Sequence, residues 1–549
     1  MSCNRLLGTS RRLVGLFSFM ALSVGFAHAE RPNVVLILAD DLGYSDLGCY
    51  GGEIETPNLD SLAEGGLRFS HFYNTGRCWP SRAVLMTGYH AQQVAMDPVY
   101  GKEWPKWTRL LPHHLKGAGY KSYLSGKWHV RHHPNDPVHS GFDRSYRLAD
   151  HDRFFHPRGH FLDDVKLPAV QLDEGYYATV AITDYALEFL DTHEKQQDED
   201  PFFLYLGYTA PHFPLHALPE DMERFRGRYD AGWDALREER YEKVKALGLT
   251  NGPLARRRED VRPRWSKPEE QLQAELHPQE VGRGVAWDTL TDKQKAFQAK
   301  KMEAHAAMVY RMDLEIGRIL ESLRSTDELD NTVILFMSDN GATAEQMIRG
   351  DKVPPGAEPG SPQSFLALGP GWSTAANTPL SLHKHWTHEG GIASPMIVNW
   401  PERIEKPGTF SNEPSHLIDI VPTILDLAGA DPIMKHNGLN APEMPGLSLK
   451  PLWEGEVDWD ERPLYFDHFE NRALRLGEWK AVMRRDNGDQ WELYRLSEDR
   501  GETNDLAAQN PEVLDRLVSQ WKSLRREYKV DGLKGRDPDA KVHRLHVDY

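Results

Sequence analysis

"PNVVLILADDLGYSDLGCYGG", residues 32–52, is the stretch that decides the fold. Val34 to Ala39 is an unbroken apolar run, as a strand buried on both faces of a sheet requires. Asp40 and Asp41 follow at once, then a glycine-rich loop. "TPNLDSLAEGG" (56–66) reads next as a helix, with Thr56 able to cap it, Pro57 suited to its first position and Gly65-Gly66 ending it. The alternation recurs. "DYALEFLD" (184–191) predicts helix, "PFFLYLGYTAPH" (201–212) strand, "MVYRMDLEIGRILESL" (308–323) a long amphipathic helix, and "NTVILFMSDNG" (331–341) a second buried strand. Strands alternating with helices imply an α/β fold, a large and mainly parallel sheet sandwiched by helices.

Outside this core the character of the chain changes three times. Residues 217–301 are charged, carry "LARRRED" (254–260), and read as a surface insertion of helices and loops within a catalytic domain spanning 30–436. From about 437 to 549, short aromatic-rich runs separated by turn residues precede "NPEVLDRLVSQWKSLRREY" (510–528), which predicts a smaller subdomain of antiparallel sheet plus helix. Residues 1–29 read as a signal peptide. Arg5, Arg11 and Arg12 form a basic head, an apolar run spans 13–26, and Ala27-His28-Ala29 suits cleavage after Ala29. The apolar run is short for a membrane span, so the expectation is a periplasmic or secreted protein without one, exported by the Sec or the twin-arginine route.

A length of 549 residues exceeds one compact core. The formal charge of -17 falls to -20 without residues 1–29, which hold three arginines and no acid. That balance argues against a nucleic-acid partner, and an anionic ligand would need a local cluster of positive charge. Three cysteines occur, and Cys3 leaves with the signal peptide. Cys49 and Cys78 could pair, or Cys78 could be a small buried hydrophobe.

The two buried strands end in oxygen donors, Asp40 with Asp41 and Asp339 with Asn340. Ligands of open α/β sheets bind beyond the carboxyl ends of the strands, so the four could converge. An all-oxygen set suits Ca²⁺ or Mg²⁺ better than Zn²⁺, although each pair alone could merely cap a turn. Candidate cations follow. "GYKSYLSGKWHV" (119–130) offers Lys127 and His129, which two-residue spacing on an extended segment would turn to one side. "YTAPHFPLH" (208–216) places His212 after a strand, and "NTPLSLHKHWTHEGG" (377–391) offers Lys384.

Five stretches in order resemble the sulfatase family: Asp40-Asp41, "CWPSR" (78–82) followed by Leu85, Thr87 and Gly88, the 119–129 stretch, "SDNG" (338–341), and Lys384 to Gly391. The similarity extends from about Pro32 to Tyr549, and "ALGPGWSTAANTPLSLHKHWTHEGGIASPMIVNWP" (367–401) is most similar to the bacterial arylsulfatase branch. The resemblance implies an alkaline phosphatase-like fold and hydrolysis of a sulfated carbohydrate or aryl sulfate. It implies that a formylglycine-generating maturation enzyme oxidises Cys78 to Cα-formylglycine, whose hydrate is the nucleophile. It further implies a Ca²⁺ (or Mg²⁺) held by Asp40, Asp41, residue 78, Asp339 and Asn340. Arg82 would support the diol, Lys127 and Lys384 bind sulfate, His129 release sulfate, and His212 with Lys384 stand at the leaving group. Trp79 occupies the variable position of the signature and could narrow access for the maturing enzyme. Two other readings stay open: a formylglycine-dependent phosphodiesterase or phosphonate monoester hydrolase, and a non-catalytic protein that binds sulfated ligands. Trp104, Trp107, His113, His114, His132, His133, His151, His156 and Arg158 form an aromatic and cationic region suited to a sulfated sugar.

Overall fold

The computed structural model describes residue 1 and residues 31–532, apart from 97–103, 131–135, 197–199, 262, 264, 349–353, 402, 456–458 and 460. Residues 2–29 of the segment read as a signal peptide lie outside the described residues, as do His132 and His133. Among the described residues no helix is long and apolar enough to cross a membrane.

A ten-stranded sheet dominates. Its strands in chain order are β1 (Asn33–Ala39), β2 (Leu67–Phe69), β3 (Lys121–Gly126), β4 (Arg144–Leu148), β5 (His160–Leu162), β6 (Val165–Lys166), β7 (Phe202–Gly207), β8 (Thr332–Ser338), β9 (Met396–Asn399) and β10 (Thr409–Ser411). Their spatial order is β10-β2-β9-β8-β1-β7-β3-β4-β5-β6. The central block β8-β1-β7-β3-β4 is parallel throughout, and β9, β5 and β6 add antiparallel pairs towards the edges. The main helices are α1 (Pro57–Glu64), α2 (Cys78–Thr87), α3 (Ala178–Lys195), α4 (Gly232–Ala246), α5 (Asp292–Ser325) and α6 (Pro511–Gly532).

β1 explains why its sequence is apolar without alternation. Val35, Ile37 and Ala39 share a core with Leu59 of α1, Ile182 of α3 and Ile316 of α5. Val34, Leu36 and Leu38 share the opposite core with Ala83, Val84 and Met86 of α2. Helices therefore cover both faces, and both sets of side chains leave water.

The expected helix at 57–64 forms, but Thr56 does not cap it with its side chain. Its hydroxyl accepts from Gly48 N–H at 3.0 Å and donates to Asp60 at 3.1 Å. The first helical N–H groups go instead to Asp313 of α5, from Asn58 at 3.1 Å and Leu59 at 2.8 Å. A carboxylate delivered by tertiary packing replaces the local hydroxyl.

The charged stretch 217–301 supplies helices and loops with many exposed residues, and its helix α4 also reaches into the core. Trp233 of α4 is buried, with Trp287 and Trp372 edge-on at 4.7 and 5.5 Å. Arg240 of α4 is fully buried between Asp46 (2.8 Å) and Glu53 (2.7 Å). An amphipathic helix that buries some of its charges in pairs keeps a low mean hydropathy while one face packs inward.

The tail forms a four-stranded antiparallel sheet, β11 (Leu464–His468), β12 (Asn471–Leu476), β13 (Trp479–Met483) and β14 (Trp491–Arg495), paired in sequence order. Leu517 and Trp521 of α6 pack on its Tyr465, Leu474, Ala481 and Leu493.

Candidate active site

Parallel pairing of Ala39 with Ser338 brings Asp40 and Asp339 out side by side. Asp41 N–H lies 3.4 Å from Asp339 Oδ1, and Asn340 Nδ2 donates to Asp41 Oδ1 at 2.6 Å. Cys78 begins α2 and is buried. Arg82, one turn later, reaches the strand ends from beneath. It binds Asp339 Oδ2 at 2.9 Å through both Nε and Nη2, and its Nη2 lies 3.6 Å from Asp40. Arg82 also donates to Lys127 O at 2.8 Å and to Tyr205 Oη on β7 at 3.2 Å.

Lys127 follows β3, its N–H donating to Gly207 O at 2.7 Å. Gly126 there has φ 116°, and a Cβ at that position would lie 2.1 Å from Gly207 O, so a glycine is required where the two strands converge. The Lys127 ammonium binds Asp40. Lys384 binds Asp41 at 2.7 Å and Glu345 at 3.3 Å. A Cβ on Gly341 would lie 1.9 Å from Gly390 O, so the loops after Asn340 and Lys384 are in backbone contact. His212 Nε2 is 3.7 Å from Asp41 Oδ2, and its Nδ1 faces Phe213 O.

His129 is reached by a different route from the one its spacing suggested. β3 ends at Gly126 and His129 has φ 49°, so the segment is not extended there. A row of rings links it to the centre instead: His129 to His151 at 4.9 Å and His151 to His212 at 5.7 Å. His151 thus belongs beside the site, whereas Trp107 packs in the interior against Tyr89 at 5.0 Å. Trp79 is buried in the core that holds Val34 and Leu36. Cys49 and Cys78 are unpaired as a disulfide.

The electrostatics follow from this crowding. Burial alone would raise Asp40, but Lys127, His212, Arg82 and Lys384 outweigh it and hold the carboxyl well below its usual range. Asp339 is pushed up by burial and by the charge on Asp40. Burial raises the Cys78 thiol despite Lys384 and Lys127. Burial lowers His212, outweighing Asp41 and Asp40. Burial opposes the charged form of Lys384, yet Asp41 and Glu345 hold its pKa well above the ordinary value.

Two acceptors in this cluster are buried without any hydrogen bond, Asp40 Oδ1 and Asn340 Oδ1. Buried acceptors are rarely left unsatisfied, and the donor set is all oxygen apart from one imidazole. Asp40, Asp41 and His212 also place ligand atoms within 4.8 Å of one another. The residues therefore fit a hard divalent cation. Four carboxylates (Asp40, Asp41, Asp339, Glu345) face three cations (Arg82, Lys127, Lys384) here, so a divalent ion would turn the centre from net negative to net positive inside an acidic chain.

Sequence reasoning missed Glu345, His385 and His468. Glu345 bridges Lys384 and His385 Nε2, both at 3.3 Å, and His385 Nδ1 lies 3.2 Å from His468 of β11. Burial would raise Glu345, but Lys384 and His385 hold it well below its usual range. Its one available signal was nearness in sequence to the 338–341 motif.

The centre is thus a parallel sheet ending in paired aspartates that face a buried Cys-Trp-Pro-Ser-Arg helix start. The Sulfatase family profile matches residues 32–430, and the profile described as N-sulphoglucosamine sulphohydrolase, C-terminal, matches 381–527. The chain belongs to the sulfatase family and is a sulfuric ester hydrolase. It is 33% identical to an uncharacterized sulfatase of Schizosaccharomyces pombe over 90% of this chain and 93% of that one. It is 32% identical to the arylsulfatase of Klebsiella aerogenes over 74% of this chain and 89% of that one. The crystal structure of Ps i-CgsB in complex with k-i-k-neocarrahexaose superposes with a TM-score of 0.63 at 25% identity, covering 92% of this chain and 94% of that one.

Proposed function

We propose that this sulfatase removes sulfate from carbohydrate sulfate monoesters through a modified residue 78, and that it is exported. The observation that carries the reading is the pair of orphaned acceptors, Asp40 Oδ1 and Asn340 Oδ1, beside Cys78 and three buried cations. A carbohydrate is favoured over a simple aryl sulfate because a structural relative binds an oligosaccharide, and His151 extends the site with a histidine row.

A Ca²⁺ ion, with Mg²⁺ the alternative, held by Asp40, Asp41, Asp339 and Asn340 beside residue 78, would polarise a sulfate oxygen. Oxidised to Cα-formylglycine by a maturation enzyme, residue 78 would supply a hydrated aldehyde, one hydroxyl for attack and one for release of sulfate. The protein's own groups do the rest. Arg82 clamps Asp339 and Asp40 so that the carboxylates keep their geometry. An ammonium has three donors. Lys127, bound only to Asp40, therefore retains N–H groups for sulfate oxygens where charge develops during S–O cleavage, and Lys384, on Asp41 and Glu345, adds its positive charge beside them. His212 donates through Nδ1 to Phe213 O, which presents Nε2 to the centre. Burial lowers the pKa of that ring, so protonating a departing alkoxide requires proton uptake that the substrate's negative charge favours. His129 is assigned to accepting the proton of the second hydroxyl. Export rests on the basic head and apolar run of residues 1–29, and the amino terminus of exported protein is expected at Glu30.

Mass spectrometry of the peptide carrying residue 78 tests the chemistry. Active protein should show sulfur lost and a carbonyl gained, and Cys78→Ala should fold normally without turnover. Full activity with an intact thiol would end the proposal.

A further inference from the structure

A cavity of about 420 Å³ opens between the C-terminal sheet, the loop after α4 and residues 412–414, and it shares no residue with the reaction centre. We propose that it is a second binding site, for a sulfated sugar unit of the substrate polymer; this rests on the carbohydrate reading above.

Arg475 and Arg500 line it, and both are buried. Their hydrogen bonds go to neutral acceptors. Arg475 donates to Gly477 O at 3.1 Å and to Tyr73 Oη, and Arg500 donates to Tyr44 Oη at 2.8 Å, Leu249 O at 3.2 Å and Ser70 O. Arg500 Nε has no hydrogen bond, and the nearest carboxylate, Glu389, is 3.7 Å from it. Glu389 is already bound by Lys480 at 2.8 Å, as is Glu502. Within this linked cluster three cations (Lys480, Arg475, Arg500) face two carboxylates (Glu389, Glu502). The tyrosines do not redress the balance, because burial raises the pKa of both Tyr44 and Tyr73. His71, also on the wall, reports the resulting field: burial and then the charges of Arg500 and Arg475 drive its pKa well down. A buried excess of positive charge beside an open cavity calls for an anion.

The volume exceeds what one sulfate fills and lies in the range of small-molecule sites. Asn251 and Asn412 offer amides and Trp459 an aromatic face, the groups that recognise a sugar ring. Three acids stand at the cavity. Glu478 is bound by Arg495 at 2.8 Å, Glu413 is half-buried and Glu461 is exposed. A sulfate would therefore seat against the guanidinium wall with the ring towards the mouth. Such a site would help an acidic protein retain a polyanionic chain while another of its sulfates is in the reaction centre.

Binding of a dextran sulfate oligosaccharide, unsulfated dextran and inorganic sulfate would be measured by calorimetry on wild type and two variants. Both variants alter exposed residues, Ser497→Trp to obstruct the mouth and Glu461→Gln to remove a repelling charge. Dextran sulfate should bind about tenfold more weakly to folded Ser497→Trp and about twofold more tightly to Glu461→Gln. Equal affinity for all three proteins would overturn the proposal. So would equal binding of unsulfated dextran, or a cavity that takes only inorganic sulfate. Wild-type turnover of sulfated sugars is scored separately. Turnover without cavity binding removes this site alone, and cavity binding without any turnover removes the catalytic reading alone.

Discussion

Two of the buried charge clusters among the described residues differ in how completely they satisfy themselves. At the junction of the C-terminal sheet with the body, every carboxylate oxygen of Glu389 and Glu502 has a partner. Lys480 binds one oxygen of each at 2.8 Å, Tyr73 Oη donates to Glu389 Oε2 at 2.9 Å, and Glu389 N–H donates to Glu502 Oε2 at 2.9 Å. At the carboxyl ends of β1 and β8, Asp40 Oδ1 and Asn340 Oδ1 have none. The same residue types thus serve two purposes. A saturated set of acids holds two parts of a fold together, whereas a set left short of donors is a place for a ligand.

The largest expected effect breaks the incomplete cluster. Asp339→Ala removes a proposed ligand and the anchor of Arg82. Activity should fall on the order of 10³-fold, as when a preorganised charge-stabilising group is lost. Calcium should raise the wild-type melting temperature, a chelator should lower it, and the variant should respond to neither. Calorimetric scans with and without calcium check this. A wild type indifferent to calcium, magnesium and chelator would remove the metal from the reading. Stoichiometric zinc without either ion would contradict the hard-cation argument.

The saturated cluster should fail in the opposite manner. Lys480→Met leaves Glu389 and Glu502 buried with like charge, at a cost of about 3–5 kcal/mol in unfolding free energy. Protein that remains folded should keep kcat/KM within about tenfold, because Lys480 touches no group at the reaction centre. Urea unfolding and steady-state kinetics on the same preparation separate the two effects. A large kinetic loss at small stability cost would show that the junction controls the Lys384 loop directly.

What could be read from residues alone follows the same division. β1 and β8 were legible because seven buried residues in a row have few alternatives, and the aspartates after them inherit their position from parallel pairing. The edges of the sheet were not legible. β6 has two residues and β10 three, too short for any period to show, and long-range pairing alone defines them. His129 misled for a related reason: a two-residue period holds only while the strand lasts, and β3 stops at Gly126. Glu345, His385 and His468 converge from three separate segments with no spacing to mark them. The cap of α1 comes from Asp313, 254 and 255 residues from the groups it accepts, beyond any local rule.

A smaller effect tests whether the junction relies on charge at all. Glu492 of β14 lies 3.1 Å from His388 and 3.0 Å from Tyr494 Oη. Burial would raise its pKa, but these partners hold it at about 2, below the ordinary 4.5. A depressed carboxyl stabilises the fold above its unfolded pKa and loses that contribution as pH falls through the folded one. Glu492→Gln should cost roughly 2–3 kcal/mol at pH 7, and more than half of the difference should be gone near pH 3. Unfolding curves at both values measure it. A difference that is constant with pH would mean the contact matters for packing and not for charge.

The smallest expected effect lies within the reaction centre and concerns only the departing oxygen. Burial lowers the pKa of His212, whose Nε2 is turned towards Asp41, so its service as an acid is favoured only when substrate draws a proton to it. A nitrophenolate leaves readily without that proton, and a sugar alkoxide does not. His212→Ala should therefore lose about tenfold more rate on a sulfated sugar than on nitrophenyl sulfate, within the roughly 10²–10⁴-fold that a positioned acid supplies. Single-turnover kinetics isolate the sulfate-transfer step, since slow release of sulfate would mask the difference. Equal losses on both substrates would make His212 a group that binds sulfate uniformly. The proton would then have to come from Lys384, whose ammonium is shared between Asp41 and Glu345 and whose raised pKa makes it a reluctant donor.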